Sequence, residues 1–258
     1  MRELRIPFPP LRRGNKAALL LIGAIWIVLA SMVEYVDAAP SIFGALVGTD
    51  SILRGEVWRL VTSFVVHNPA GLGSAFHPIG TAAGLYFLGT SLEEQWGTKR
   101  YLLFLLFAGV FAATLQVLLG AVIPWVHAPI FYGGIGVVDA VAVAWALSFR
   151  DRQVNLFFAF PVTARSMIFF ILCINILFGV VLGARYEGLV TPFAGMLAGW
   201  MGADGSPVRK LYLQWRFKRL QSQSEALRGV KAQRVPHLRV VKGGASGPES
   251  KPKKEMLN

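Results

Sequence analysis

GGIGVVDAVAVAWALS, Gly133 to Ser148, is the stretch whose reading decides the fold. Asp139 is its one charged residue, and its small residues are ordered: Gly136, Ala140 and Ala144 recur at every fourth position. On a helix that spacing places them on one face, as a stripe without bulk. Lipid offers helices no hydrophobic reason to associate, so close approach along small residues is what holds a membrane bundle together. A matching stripe stands later in the chain, where PFAGMLAGW, Pro192 to Trp200, brings Gly195 and Gly199 four residues apart. The two segments are expected to touch along these stripes.

Composition points the same way. Of the 258 residues, 54% are hydrophobic and 16% charged, more apolar surface than a water-soluble chain of this length can bury. The runs Ala17 to Val33, Tyr101 to Val122 and Met167 to Gly183 contain no Asp, Glu, Lys or Arg. Each is long enough to cross about 30 Å of hydrocarbon as a helix. Runs without alternation indicate helices rather than barrel strands, so the fold class is all-α, a polytopic membrane protein. Spanning segments are placed at residues 17–36, 75–92, 101–124, 134–148, 163–183 and 188–201. The second, fourth and sixth are the richest in small residues and are read as the packed interior. The first run is too long for the apolar core of a signal peptide, roughly 7 to 15 residues. Cys173, the single cysteine, has no intramolecular partner and is read as a small buried hydrophobe.

Lys and Arg concentrate on alternate connections, with five before the first segment, none in the third loop and thirteen after the sixth. The positive-inside rule then places both termini in the cytoplasm with an even number of spans, in what is expected to be a bacterial inner membrane. Three regions result: a basic N-terminus at 1–16, the six-helix domain at 17–201 and a basic tail at 202–258. Within the tail, residues 208–220 interleave Leu211, Tyr212, Leu213, Trp215, Phe217 and Leu220 with Arg209, Lys210, Arg216, Lys218 and Arg219. That pattern suggests a helix lying on anionic lipid, and a juxtamembrane position accounts for the charge without nucleic acid. From Gly243 onward the sequence is too polar to build a core and is read as disordered.

Four motifs occur in order. The first loop reads GEVWRLVTSFVVHN (Gly55 to Asn68), with Trp58 beside Arg59, and the second segment ends in SLEEQWGTKRYLLFLL, with Glu93, Gly97, Lys99 and Arg100. The fourth segment opens with GGIGVVDA and the sixth reads PFAGMLAGW. Together they resemble the rhomboid family and its derlin relatives: the Trp-Arg loop, the Glu and Gly before a basic pair, the Gly-x-Ser-Gly of the fourth helix, and the His with a spaced glycine pair of the sixth. The resemblance covers roughly residues 17–201 and implies a rhomboid-like bundle of six transmembrane helices.

The packing glycines of that pattern, Gly134, Gly136, Gly195 and Gly199, are kept; its chemistry is not. The family attacks a peptide carbonyl with a Ser activated by a His, and a unit of this kind needs an oxygen nucleophile beside a base. Aligned on the glycines, those positions hold Ile135 and Pro192, neither of which can attack, donate or accept. The oxyanion-stabilising His and Asn of the family map onto His77 and Thr81, so only the His is retained. Asp139, one turn beyond Ile135, is the lone acid well inside a span, and intramembrane acids face a cavity or a partner. A His77–Asp139 pair is one expectation and a locally satisfied or water-exposed Asp139 the other. His67 and His127 lack metal-ligand spacing and are read as solvated loop residues, with no cofactor implied. The resemblance implies an inactive rhomboid-like protein binding lipid and the transmembrane segments of other proteins as adaptor, chaperone or assembly factor. The alternatives are an intramembrane protease with displaced groups, Ser74 or Thr81 with His77, and a transporter or channel using Asp139.

Overall fold

The computed structural model describes residues 10–36, 44, 46–70, 75–150, 152–156, 160–181, 183 and 186–234. Six helical segments form the bundle. The first helix is Arg13–Tyr35; the second runs over 76–96, α-helical at Phe76–Gly84 and Thr90–Trp96 with a π-helical turn at Leu85–Gly89 between them. The third is Thr98–Val122 and the fourth Ile135–Ser148; the fifth, 164–181, is α-helical at Ala164–Asn175 and π-helical at Ile176–Val181; the sixth is Thr191–Gly202. Two short helices, Thr49–Leu53 and Arg59–Val65, build the first loop.

Local chemistry sets these boundaries. Gly97 takes φ +80°, the left-handed conformation that lets the chain break between the second and third helices. The Thr163 hydroxyl accepts the Ser166 amide at 3.3 Å and caps the fifth helix. A small sheet interrupts the helical order: β1 (Gln153–Leu156) pairs antiparallel with β2 (Phe160–Thr163), Gln153 opposite Thr163, in the connection before the fifth helix. After the sixth helix, Pro207–Arg234 is helical, longer than the 208–220 stretch singled out in the sequence. Residues 1–211 form one compact unit and 212–258 another, and the stretch from Gly243 lies outside the described residues.

Among the described residues, the first and third helices alone are long and apolar enough to cross a bilayer by that criterion, with mean hydropathies of 2.3 and 2.5. The others are shorter or interrupted, so six apolar segments in sequence do not make six uniform helices. The fourth helix is buried almost throughout. Against it lies the sixth, so close that a Cβ on Gly195 would overlap the backbone of Gly136, and one on Gly199 the backbone of Ala140. Ala144 continues the buried face. The expectation of an interior second helix needs correction: it keeps Phe76, Ile79 and Phe87 exposed, and the third helix supplies more of the core through Tyr101, Phe104, Ala108, Ala112 and Val117. Packing close to the fourth and sixth helices, rather than small-residue content alone, decides which helix is inside. Cys173 is likewise exposed on the fifth helix, not buried.

Two polar clamps fix the periphery. The buried Glu93 carboxylate accepts the amides of Gly14 (2.8 Å) and Asn15 (2.7 Å) and the Thr98 hydroxyl (2.6 Å). It thereby neutralises the start of the first helix. Asn15 donates to the Leu85 carbonyl (2.8 Å) and Thr90 (2.9 Å) and accepts from Tyr101 (3.0 Å), which ties three helices together. In the first loop, Trp58 is exposed but Arg59 is buried: its guanidinium binds Glu56 and the carbonyls of Gly44 (2.5 Å) and Val47 (2.7 Å). Arg59 is therefore an internal loop staple, which a planar guanidinium suits better than an ammonium.

Candidate functional site

At the end of the bundle where the fourth helix begins, four segments converge: the loop after Arg59–Val65, the second helix, residues 131–136, and the turn before the sixth helix. The turn is held by Gln116 of the third helix, which accepts the Val190 amide at 2.7 Å and donates to the Val126 carbonyl at 2.9 Å. Gly188, at φ +81°, lies so close to Gln116 that a side chain there would strike it. Thr191 closes the turn by donating to the Gly188 carbonyl at 3.0 Å. These contacts aim Glu187 inward.

Glu187 occupies the centre of the site. One carboxylate oxygen accepts the backbone N–H of Ile135, the first residue of the fourth helix, at 2.6 Å, and the other pairs with His77 Nε2. A helix N-terminus attracts negative charge, and here an imidazole adds a second donor to the same spot. Gly133, at φ +112°, makes room: a Cβ there would overlap His77 and approach the Glu187 carboxyl group to 2.7 Å. The Tyr132 ring meets His77 edge-on at 6.3 Å.

Beside this pair is a second one. His67 is fully buried, which corrects its reading as a solvated loop residue: the chain folds back after Val65 and its ring meets that of His77 at 5.0 Å. His67 Nδ1 faces the Val65 carbonyl at 3.0 Å, an acceptor, so Nδ1 carries the proton and Nε2 accepts the Thr81 hydroxyl at 3.1 Å. Burial, reinforced by His77, lowers the His67 pKa from 6.5 to about 4. Thr81 and Gly134 also line an apolar cavity of about 250 Å³ that extends toward Ala17, Leu21, Val61 and Leu105. Between Gly133, Gly136 and Thr191 there remains only about 10 Å³, so no roomy water-filled cleft opens at that point. His127 is half-buried, 3.7 Å from Asp50.

Asp139 does not join His77. It is buried deeper and accepts from Asn175 Nδ2 of the fifth helix at 2.6 Å, while His77 is taken by Glu187. Of the two expectations the locally satisfied acid is the one seen, and the reason is competition, because each group has a nearer partner of suitable chemistry. A stability cycle checks this: His77→Ala and Asp139→Asn are expected to add within about 0.5 kcal/mol, whereas Asp139→Asn and Asn175→Ala couple by about 1 kcal/mol. Thermal unfolding in detergent measures both. Among the described residues no cluster of three or more His, Cys, Asp or Glu is arranged to hold a metal ion.

The geometry thus gathers Ile135, His77, Thr81 and Gly134 at one place, with Pro192 half-buried on the sixth helix next to Thr191. Compared with known protein families, the chain matches the Rhomboid domain over residues 54–204. It belongs to the rhomboid family. No curated protein matched the chain. Rhomboids are embedded in membranes, and the first and third helices of this rhomboid are long and apolar enough to cross one. Three residues of its site escaped the sequence reading: Glu187, Asn175 and His67. Two had a signal. Glu187 is the only acid between the fifth and sixth helices, and Asn175 is the only amide in an otherwise apolar run, adjacent in space to the helix that carries Asp139.

Proposed function

We propose that this rhomboid is catalytically inactive and binds transmembrane helices of other membrane proteins, as an adaptor, chaperone or assembly factor. The observation that carries the reading is the site itself: a hydrocarbon and an imino-acid ring at the nucleophile and base positions, and a carboxylate where negative charge would have to develop during catalysis. Loss of either member of a nucleophile–base unit forfeits most of its rate advantage, and both are lost here. The scaffold around the site is intact. Among the described residues no extended packing joins the second and fifth helices. Phe76, Ile79 and Phe87 are exposed on the second and Phe169, Leu177 and Phe178 on the fifth. A client helix would enter there, through van der Waals contact. The reading includes six spans with both termini cytoplasmic, in a bacterial inner membrane, and a basic tail that contacts anionic lipid rather than nucleic acid. Photo-crosslinkers placed at Phe169 and Phe178 in cells are expected to recover other integral membrane proteins. Recovery of lipid alone from well-folded protein would sink the proposal.

A second reading rests on the Thr81–His67 pair, a hydroxyl against an imidazole inside the bundle. It supports a protease with displaced groups, now with His67 rather than His77 as the base. Against it, a base whose conjugate acid titrates near 4 is a weak proton acceptor for an alcohol, and the donors that would stabilise an oxyanion are taken by Glu187. Ser74, the other nucleophile considered, lies outside the described residues. Reconstituted protein is expected to show no labelling by a fluorophosphonate probe; labelling that vanishes in Thr81→Ala would reverse the ranking. For a transporter, Asp139 would be the coupling group, and among the described residues it is paired with Asn175.

A further inference from the structure

We propose that the cleft between the first and third helices binds one anionic phospholipid, its headgroup at Arg13, Lys16 and Lys99 and one acyl chain in the apolar cavity behind them. The inference goes beyond the reading of this rhomboid as a helix-binding protein and does not depend on whether the Glu187 site catalyses. The cavity, about 250 Å³, has a buried floor and an open rim. Ile22, Leu85, Leu105 and Val137 on the floor are each no more than 8% exposed, whereas Leu21, Val61, Leu102 and Leu106 at the rim are between 38% and 52% exposed. It therefore opens sideways, between the first helix, the third and the short helix Arg59–Val65. Thr81 is the one polar side chain in the lining, and its hydroxyl is taken by His67 at 3.1 Å. Water finds no polar partners in such a space, and left empty its walls forfeit dispersion contacts. The walls are braced from behind: Phe64 is seated where a Cβ on Gly109 would overlap its ring, and Thr81 where a Cβ on Gly134 would overlap its methyl group. A transmembrane helix, about 10 Å across, is too wide to enter.

Charge at the mouth selects the occupant. The first and third helices begin side by side, because the Glu93 carboxylate accepts the Gly14 and Asn15 amides and the Thr98 hydroxyl. Arg13, Ala17 and Leu21 follow at fourfold spacing on the first helix, and Lys99, Leu102 and Leu106 share a face of the third. The cations thus stand one turn beyond residues that line the cavity, with Lys16 next to Ala17. All three are exposed and form no ion pair among the described residues. The acids nearby are already engaged, Glu93 in its clamp and Glu94 with Arg12 at 2.7 Å. From Arg13 to Ile22 the first helix rises about 14 Å, close to half of the roughly 30 Å hydrocarbon core. A phosphodiester held at the cations can therefore send its chain one leaflet deep along Ala17, Ala18 and Leu21. An anionic phospholipid unites that fixed charge with hydrocarbon of that length; free phosphate and zwitterionic lipid each lack one of the two.

The test offers full-length protein in detergent phosphatidylglycerol and phosphatidylcholine with identical chains in equal amounts, and reads retained lipid by native mass spectrometry. Wild type is expected to hold one phosphatidylglycerol with about tenfold preference and to gain a few degrees in thermal midpoint. Arg13→Gln/Lys16→Gln/Lys99→Gln changes exposed side chains alone and keeps the basic tail, so its expected loss of preference assigns the headgroup to this mouth. Ala18→Phe, which fills the cavity, is expected to retain neither lipid, and inorganic phosphate to leave the wild-type midpoint unmoved. Equal retention of the two lipids by wild type, an undiminished preference in the triple variant, or a shift with phosphate as large as with lipid would overturn the proposal. Should Ala18→Phe fail to fold, Leu106→Trp blocks the rim from an exposed position, and retention unchanged in that variant would rule out the acyl site. No client enters either readout, so failure here is distinct from a failure of helix capture.

Discussion

Gly195→Ala is expected to lower the stability of the bundle by about 3 kcal/mol, and Gly195→Leu to prevent its assembly. A Cβ at this position meets the Gly136 carbonyl carbon at 2.6 Å and Cα at 2.7 Å, and these are backbone atoms. A flexible side chain could turn aside, but here two helices must move apart. Overpacking of well-formed interiors costs about 1–3 kcal/mol even where side chains can adjust. Separation would also strip the contacts along Ala140, Ala198 and Gly199, with no hydrophobic force to restore them in lipid. The control is built into the same chain. A Cβ added at Gly23 or Gly80 would meet nothing within 4 Å, so alanine there is expected to be neutral or slightly stabilising. Thermal unfolding followed by circular dichroism distinguishes the two sets, and a Gly195→Ala variant as stable as Gly80→Ala would refute the close crossing.

Glu93→Ala should be the second large loss, about 3–5 kcal/mol, located where the first, second and third helices meet. The carboxylate satisfies two backbone amides and one hydroxyl in a buried setting, and removing it leaves all three donors without a partner. Stranding buried donors costs about 1–3 kcal/mol apiece before relaxation. The first helix depends most on this anchor, since little of its apolar window is buried. The expected phenotype is therefore specific. Proteolysis in detergent should cut near residues 10–20 of Glu93→Ala much faster than in wild type while the third to sixth helices stay protected. Glu93→Gln should fall between, because one oxygen still accepts while the new amide faces the backbone N–H of either Gly14 or Asn15. Uniform protease sensitivity across the chain would contradict the assignment.

The parts of this fold that could be read from sequence are those with a repeated physical signature. Small residues at fourfold spacing located the crossing of the fourth and sixth helices, because close approach tolerates nothing larger at Gly136 and Gly195. The charge-free runs located the apolar helices. The motif order around Trp58, Glu93, Gly133 and Gly195 carries the resemblance to rhomboids. The site was less legible, since pairing depends on distance rather than on spacing. Glu187 and His77 are far apart along the chain, and only the turn tied by Gln116 and Thr191 brings them together. His67 looked like a loop residue because its burial comes from the fold-back of the first loop onto the second helix. The β1–β2 hairpin left no signal that outweighed its neighbours. The family pattern points to Ile135 and Pro192, whereas Glu187, the acid at the centre of the site, lies outside its motifs.

The two π-helical turns, Leu85–Gly89 and Ile176–Val181, fall in the helices that border the unpacked side of the bundle. Each holds one residue more than an α-helical turn would, and such an insertion can shift along a helix by exchanging one hydrogen-bond partner at a time. The outer ends of these two helices thus have a way to rotate about their own axes without melting. Below the fifth helix's loosened turn, the Asn175–Asp139 bond keeps the inner half fixed to the core. Under the proposed function, a client helix of differing tilt would be accommodated by winding rather than by prying, with the crossing of the fourth and sixth helices left undisturbed.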